Sequence, residues 1–274
     1  MSVGSVAAKG RRAGKSPWVE GLGRVGLAAK GVLYFVIGLL AIQVARGGGG
    51  EKADTQGALS EIAQKPFGRG LLVVLALGLA AHALWRLAQA ILDRDDEGED
   101  AKGISKRLGS LARGVWYGGL CWLTTTRIFG ESGGGGGRSE DKATGGVLDL
   151  PAGRYLVFAA AAGFLGAALF NAYRAVTCNF EKKLETHKMG KAERKASTTV
   201  GVLGHLARFV VWSLVAAFLA KAAWEYDPKE AVGLDGALHK VAGQPYGEFL
   251  LLAVAGGLIA YSLYCFVQAR YRDV

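Results

Sequence analysis

Apolar residues along this chain gather into long blocks, and the first two blocks set a template. GLAAKGVLYFVIGLLAIQVA runs from Gly26, a glycine-rich polar loop follows, the chain turns at KPFGR, and LLVVLALGLAAHALWRLAQAILD ends at Asp93. Each run holds roughly 20 residues, which at about 1.5 Å per residue spans a hydrocarbon core of about 30 Å. The unit therefore predicts a transmembrane helical hairpin. Continuing the pattern predicts six spans: Val25–Ala45, Gly70–Leu92, Leu108–Phe129, Tyr155–Val176, Val202–Trp224 and Phe249–Val267.

Three copies of one unit account for the six spans. In the first helices, Gly26, Gly109 and Gly204 are followed four residues on by Lys30, Arg113 and Arg208, then by Tyr34, Tyr117 and Trp212. In the second helices, Gly68, Gly153 and Gly247 precede Trp85, Phe170 and Tyr264, and later Gln89, Arg174 and Gln268. This divides the chain into a basic tail expected to be disordered (1–19), repeat 1 (20–98), repeat 2 with a basic cytoplasmic loop (99–198) and repeat 3 (199–274). In repeats 1 and 3, Gly57-Ala58-Leu59 and Gly236-Ala237-Leu238 open short amphipathic segments that end at Pro66-Phe67-Gly68 and Pro245-Tyr246-Gly247. Leu59, Ile62 and Ala63 share a helical face, which predicts a short interfacial helix. Repeat 2 has only five residues from Gly146 to Pro151, too few for such a helix.

Charge adds orientation. The flanks on the side of the N-terminus carry 17 Lys and Arg residues and the opposite flanks nine, so both termini are expected in the cytoplasm. Because each unit contains two spans, the repeats are parallel, and their pseudo-threefold axis is expected along the membrane normal. The fold class expected is an all-α integral membrane protein. The net charge of +10 belongs to this topology and does not imply nucleic acid. Glycine, at 42 residues, divides between loop runs at Gly47–Gly50 and Gly133–Gly137 and intrahelical positions that admit close helix packing. The three cysteines, Cys121, Cys178 and Cys265, have no metal-ligand spacing and read as small apolar residues.

The pattern of Ala29-Lys30-Gly31-Val32-Leu33-Tyr34 and Ala112-Arg113-Gly114-Val115-Trp116-Tyr117, with the later Gly-Ala-Leu, Pro-aromatic-Gly and long second helix, resembles a bacterial membrane-protein family catalogued as a domain of unknown function (DUF 1206). The resemblance covers nearly everything after about Glu20. It implies three tandem two-helix units in a bacterial inner or plasma membrane, and no activity. Repeat 3 departs at Phe209, where the pattern has glycine.

Candidate chemistry is sparse. Lys30, Arg113 and Arg208 lie about two turns inside the cytoplasmic boundary, within reach of headgroups by snorkelling or able to form a positive ring for anionic lipid or a small anion. His82, Arg86 and Gln89 fall at i, i+4 and i+7 on one face of the second span. Asn171 and Arg174 occupy matching positions in repeat 2, and Gln268 does so in repeat 3. A stripe this polar is expected to face the bundle interior or a hydrophilic vestibule, since lipid offers no hydrogen-bond partner. His82, near mid-membrane, lacks a second ligand at its depth; His205 is shallower, and His187 and His239 read as loop residues. No cofactor and no metal are expected. No Asp or Glu lies mid-span, which disfavours proton- or sodium-coupled transport, and there is no phosphate loop and no nucleophile, base and acid set. The expectation is a non-enzymatic protein engaging the bilayer, anionic lipid or a membrane-protein partner. A small anion channel or transporter, with Arg86 and Arg174 in a positive vestibule, is the alternative.

Overall fold

A computed structural model describes residues 17–47, 53–91, 101–129, 146–148, 150, 152–227, 230 and 234–272. Gly68, Gly153 and Gly247 each begin a long helix directly after a residue with positive φ: Phe67 at 64°, Ala152 at 65° and Tyr246 at 64°. Each glycine N–H closes the turn onto the carbonyl three residues back, Lys65, Leu150 or Gln244, at 2.8 Å. A Cβ at these glycines would collide with the carbonyl oxygen of Ile62, Val147 or Val241. Only glycine allows so close a return of the backbone. The repeat thus persists as geometry in repeat 2, even though that repeat lacks the residues for an interfacial helix.

Among the described residues the regular elements are helical. They are α1 Pro17–Ala45, α2 Thr55–Ala63, α3 Gly68–Ile91, α4 Ala101–Ile128, α5 Gly153–Thr177, α6 Lys191–Glu225, α7 Leu234–Ala242 and α8 Gly247–Tyr271, with 3-10 turns at Asn179–Lys183 and Thr186–Lys188. Helices α1 (from Glu20), α3, α5, α6 and α8 are long and apolar enough to cross a membrane. The third expected span also folds as a helix, α4, but Arg113, Arg127, several glycines and Thr124–Thr126 keep it more polar than the others.

Four sequence expectations change. Helix α1 starts at Pro17, inside the segment read as tail, while residues 1–16 lie outside the described ones. The basic loop before the fifth span is largely helix, because α6 begins at Lys191; Glu193 accepts the Gly190 N–H at 3.0 Å, and Glu181 holds Arg194 at 3.1 Å. On α2 the buried face is Ala58, Leu59 and Ile62, and Ala63 is exposed. His239 belongs to α7, one turn after Asp235, whose carbonyl lies 3.0 Å from its Nδ1. The Gly133–Gly137 run lies outside the described residues.

The helices divide into two compact units, Met1–Val32 with Ile62–Ser132 and Cys265–Val274, and Leu33–Glu61 with Gly133–Tyr264. In the first unit α3 packs along α4. Gly114 lies under Leu87, the Cys121 thiol reaches the Ala76 carbonyl at 3.4 Å, and Arg107 Nε caps the end of α3 by donating to the Ala90 carbonyl at 2.8 Å. The N-terminal half of α1 lies against α3 through Gly26 on His82 and Ala29 on Gly78; Phe266 of α8 covers Gly31. Arg24 ties α1 to the last turn of α8 through the carbonyls of Ala269 and Arg270, at 3.2 and 2.6 Å.

In the second unit α5 packs along α6, with Phe164 stacked on Trp212 at 5.4 Å. The contact of α6 with α8 repeats that of α1 with α3: Gly204 lies on Tyr261 and Ala207 on Gly257. Gly38 of α1 fits against Ile259 and the Ala255 carbonyl. These small residues let backbones approach where lipid gives no hydrophobic drive to associate. Away from the long helices, Lys240 pairs with Glu230 at 2.6 Å, and Tyr226 donates to the Leu148 carbonyl at 2.6 Å.

Candidate functional site

Helix α3 turns its polar stripe inward. His82 is fully buried, and Arg86 and Gln89, one and two turns on, are buried with it. Arg86 Nη1 donates to Gln89 Oε1 at 2.9 Å, so the glutamine fixes one edge of the guanidinium. Trp85, the residue before Arg86, is 1% exposed and carries the Arg86 guanidinium 4.5 Å from its ring centre. A second guanidinium, that of Arg272 just beyond α8, approaches the same indole at 4.8 Å. Lys30 joins from α1. The three cations are 8, 9 and 7% exposed for Lys30, Arg86 and Arg272, which is rare for charged side chains.

Aromatic rings pack the remaining sides of the histidine: Trp85 at 5.2 Å and Tyr117 of α4 at 4.3 Å, edge-on. Neither ring nitrogen of His82, nor Nε1 of Trp85, has a hydrogen-bond partner among the described residues. A buried polar group left so costs about 1–3 kcal/mol. The cluster is rich in donors, because lysine, arginine and tryptophan side chains carry N–H groups and no acceptor.

The other cations and polar residues singled out in the sequence have different surroundings. Arg113 is exposed, and its Nε donates back to the Gly109 carbonyl at 2.7 Å. Arg208, in the second unit, is half-buried; its Nη1 donates to the Tyr261 hydroxyl at 2.5 Å, and its guanidinium lies over Tyr261 at 4.6 Å and Tyr34 at 5.6 Å. Arg174 is half-buried and lies over Phe170 at 5.9 Å. Asn171 is buried, with Nδ2 donating to the Ala167 carbonyl at 2.8 Å and Oδ1 2.9 Å from His205 Nδ1. Gln268 is buried in the first unit, one turn before Arg272, whose N–H donates to the Gln268 carbonyl at 3.0 Å.

Sequence reasoning used Arg272 only as a topology charge and Trp85 only as a repeat landmark. One signal pointed to Arg272: it stands four residues after Gln268 and so continues that polar face by a turn. Among the described residues no group of three His, Cys, Asp or Glu side chains could hold a metal ion.

Long apolar helices, helix contacts made through glycine and alanine, and a threefold sequence repeat define a multi-pass membrane protein of repeated two-helix units. The chain belongs to the family described as Domain of Unknown Function (DUF1206), which matches it three times, over residues 25–93, 108–177 and 203–272. It is 34% identical over 258 residues to the uncharacterized protein YxxB of Bacillus subtilis (strain 168), an alignment covering 94% of this chain and 93% of that one. No solved structure matches it.

Proposed function

We propose that the chain is a non-enzymatic protein of the bacterial plasma membrane that engages anionic lipid through a basic cytoplasmic face. In this reading it crosses the bilayer six times, α4 included, with both termini in the cytoplasm and three parallel repeats around a pseudo-threefold axis. The excess of 17 basic flanking residues over nine supports the orientation. Equivalent helix contacts, Gly26 on His82 and Gly204 on Tyr261 within repeats, Gly114 under Leu87 and Gly31 under Phe266 between them, support the symmetry. The observation that supports the ligand is the approach of Arg86 and Arg272 to one buried indole, that of Trp85, with Lys30 buried as well.

Two experiments test this reading. A reporter fused after Val274 and another inserted at Gly133–Gly137 report opposite sides of the membrane; reports from one side reject the six-span topology. Anionic lipid co-purified with the wild-type protein falls when the basic residues of the spans are changed to Gln, and unchanged lipid content rejects the lipid role.

A second reading, a small anion channel or transporter, draws on the inward position of Arg86 with His82 and Gln89, since rings of Arg and Lys line anion pores. Anion flux into proteoliposomes that falls on changing Arg86 and Arg174 to Gln supports it. Flux no greater than that of empty liposomes rejects it.

A further inference from the structure

We infer that the groove between the last turn of α3 and the first turns of α4 binds one phospholipid without net charge, its phosphate diester on Arg107 and an acyl chain along the apolar walls. This site is separate from the anionic lipid proposed above, and only its place in the cytoplasmic leaflet rests on that reading.

The groove lies within the first unit. Ala90 and Ile91 line it from α3, and Ile104, Arg107, Leu108 and Leu111 from α4, around a volume of about 410 Å³. Ile104, Leu108 and Leu111 stand at i, i+4 and i+7, so helical phase gathers them on one face of α4. They are exposed, as is Ile91, and their apolar surface is stabilised when something covers it. A volume of this size takes roughly a dozen water-sized groups, which is enough for most of an acyl chain.

Arg107 is the one charged residue of the lining, and it fixes where the polar end of the ligand goes. Its Nε and Nη2 donate to the Ala90 and Ile91 carbonyls at 2.8 and 3.4 Å, which holds the guanidinium over the end of α3. Neither bond uses Nη1, which is the charge-assisted donor for one phosphate oxygen. In the proposed topology this end of α3 reaches the cytoplasmic boundary, where phosphates lie directly above acyl chains and an arginine with an apolar stem meets both. The chain's own connection from α3 to α4, residues 92–100, carries six carboxylates and one large apolar side chain, Leu92, a composition unsuited to filling an apolar groove. So many carboxylates beside a single lining arginine also disfavour a headgroup of net negative charge. A phospholipid whose phosphate is balanced by its own ammonium meets both conditions.

The full chain, purified in detergent and stripped of lipid, is titrated in mixed micelles with dioleoylphosphatidylethanolamine. Parallel titrations use dioleoylphosphatidylglycerol and dioleoylglycerol, which keeps the chains and lacks the phosphate, and native mass spectrometry counts the bound copies. One saturable copy of phosphatidylethanolamine per chain is expected, with dioleoylglycerol weaker by about tenfold or more. Ile104→Trp fills the groove from an exposed position and abolishes that copy. Arg107→Gln weakens it to the level of dioleoylglycerol and Arg107→Lys recovers part of the affinity, while Arg113→Gln, outside the lining, leaves it within about twofold. Arg107→Gln also withdraws the bonds to the end of α3, so Ile104→Trp carries the test if that variant does not fold. Phosphatidylethanolamine that binds in many copies without saturating, or that Ile104→Trp retains, overturns the site. Binding of phosphatidylglycerol alone overturns the groove and leaves the anionic-lipid reading standing; binding of phosphatidylethanolamine alone does the reverse.

Discussion

Gly26 lies flush against His82, so that a Cβ on the glycine would overlap the backbone and ring of the histidine, and Gly204 meets Tyr261 in the same manner. Helical glycine otherwise costs about 1 kcal/mol relative to alanine. Here the missing side chain is what brings α1 onto α3 and α6 onto α8. Gly26→Ala and Gly204→Ala are each expected to destabilise the protein by about 1–3 kcal/mol, the cost of overpacking a tight contact. Gly70→Ala, at a position with no atom within 4 Å, is neutral or stabilising. Tryptophan fluorescence during thermal unfolding in detergent separates the three.

The turn before α5 predicts the opposite sign. Ala152 has φ 65° and ψ 12°, a left-handed conformation that costs an L-residue about 1–2 kcal/mol and glycine nothing. Ala152→Gly is expected to stabilise by about 0.5–1 kcal/mol after the entropy of the unfolded chain is counted. Ala152→Val destabilises, because its branched Cβ suits that region still less. Phe67 and Tyr246 hold the same conformation at 93 and 83% exposure. Their rings suit the membrane interface, where aromatic side chains gather.

Acid is expected to loosen the hold of Glu230 on Lys240 of α7. The hydrogen bond from Lys240, and after it that from Lys221, hold the Glu230 carboxyl below its ordinary range. A carboxyl lowered on folding stabilises the fold above its unfolded value, and that contribution disappears as pH falls through the lowered one. Hydrogen-exchange protection of α7, taken relative to the intrinsic rate at each pH, therefore falls on acidification below the usual glutamate range. In Glu230→Gln the exchange is faster at neutral pH, and this part of the pH dependence is gone.

Much of the fold is legible in the sequence, because hydrophobic run length and repeat landmarks are local signals. The buried stripe of His82, Arg86 and Gln89 follows from helical phase alone. Arg272 does not, since its approach to Trp85 joins residues nearly two hundred positions apart. Glu193 and Glu181 likewise turn a basic loop into the start of α6 through contacts that periodicity does not report.

Phe209 shows how the repeat alignment still informs the packing. Where α3 meets α4 a glycine lies under a large side chain, Gly114 under Leu87, and Gly31 lies under Phe266 at the matching place. In the third instance the large residue stands on the first helix, Phe209, and by repeat equivalence the position facing it is Ala172. On that equivalence the sizes are exchanged between the two positions. Ala172→Leu and Phe209→Gly are each expected to cost about 1–3 kcal/mol, by overpacking and by loss of volume. The double variant recovers most of that loss, as a double-mutant cycle of thermal stabilities will show.

The most direct test of the account is the native mass spectrum of the full chain extracted from bacterial membranes. The account predicts anionic phospholipid bound to the wild-type chain and lost from the variant in which Lys30, Arg86, Arg113, Arg174 and Arg208 are all changed to Gln. A wild-type chain without that lipid under conditions where it remains folded, or that lipid retained unchanged by the variant, would contradict it.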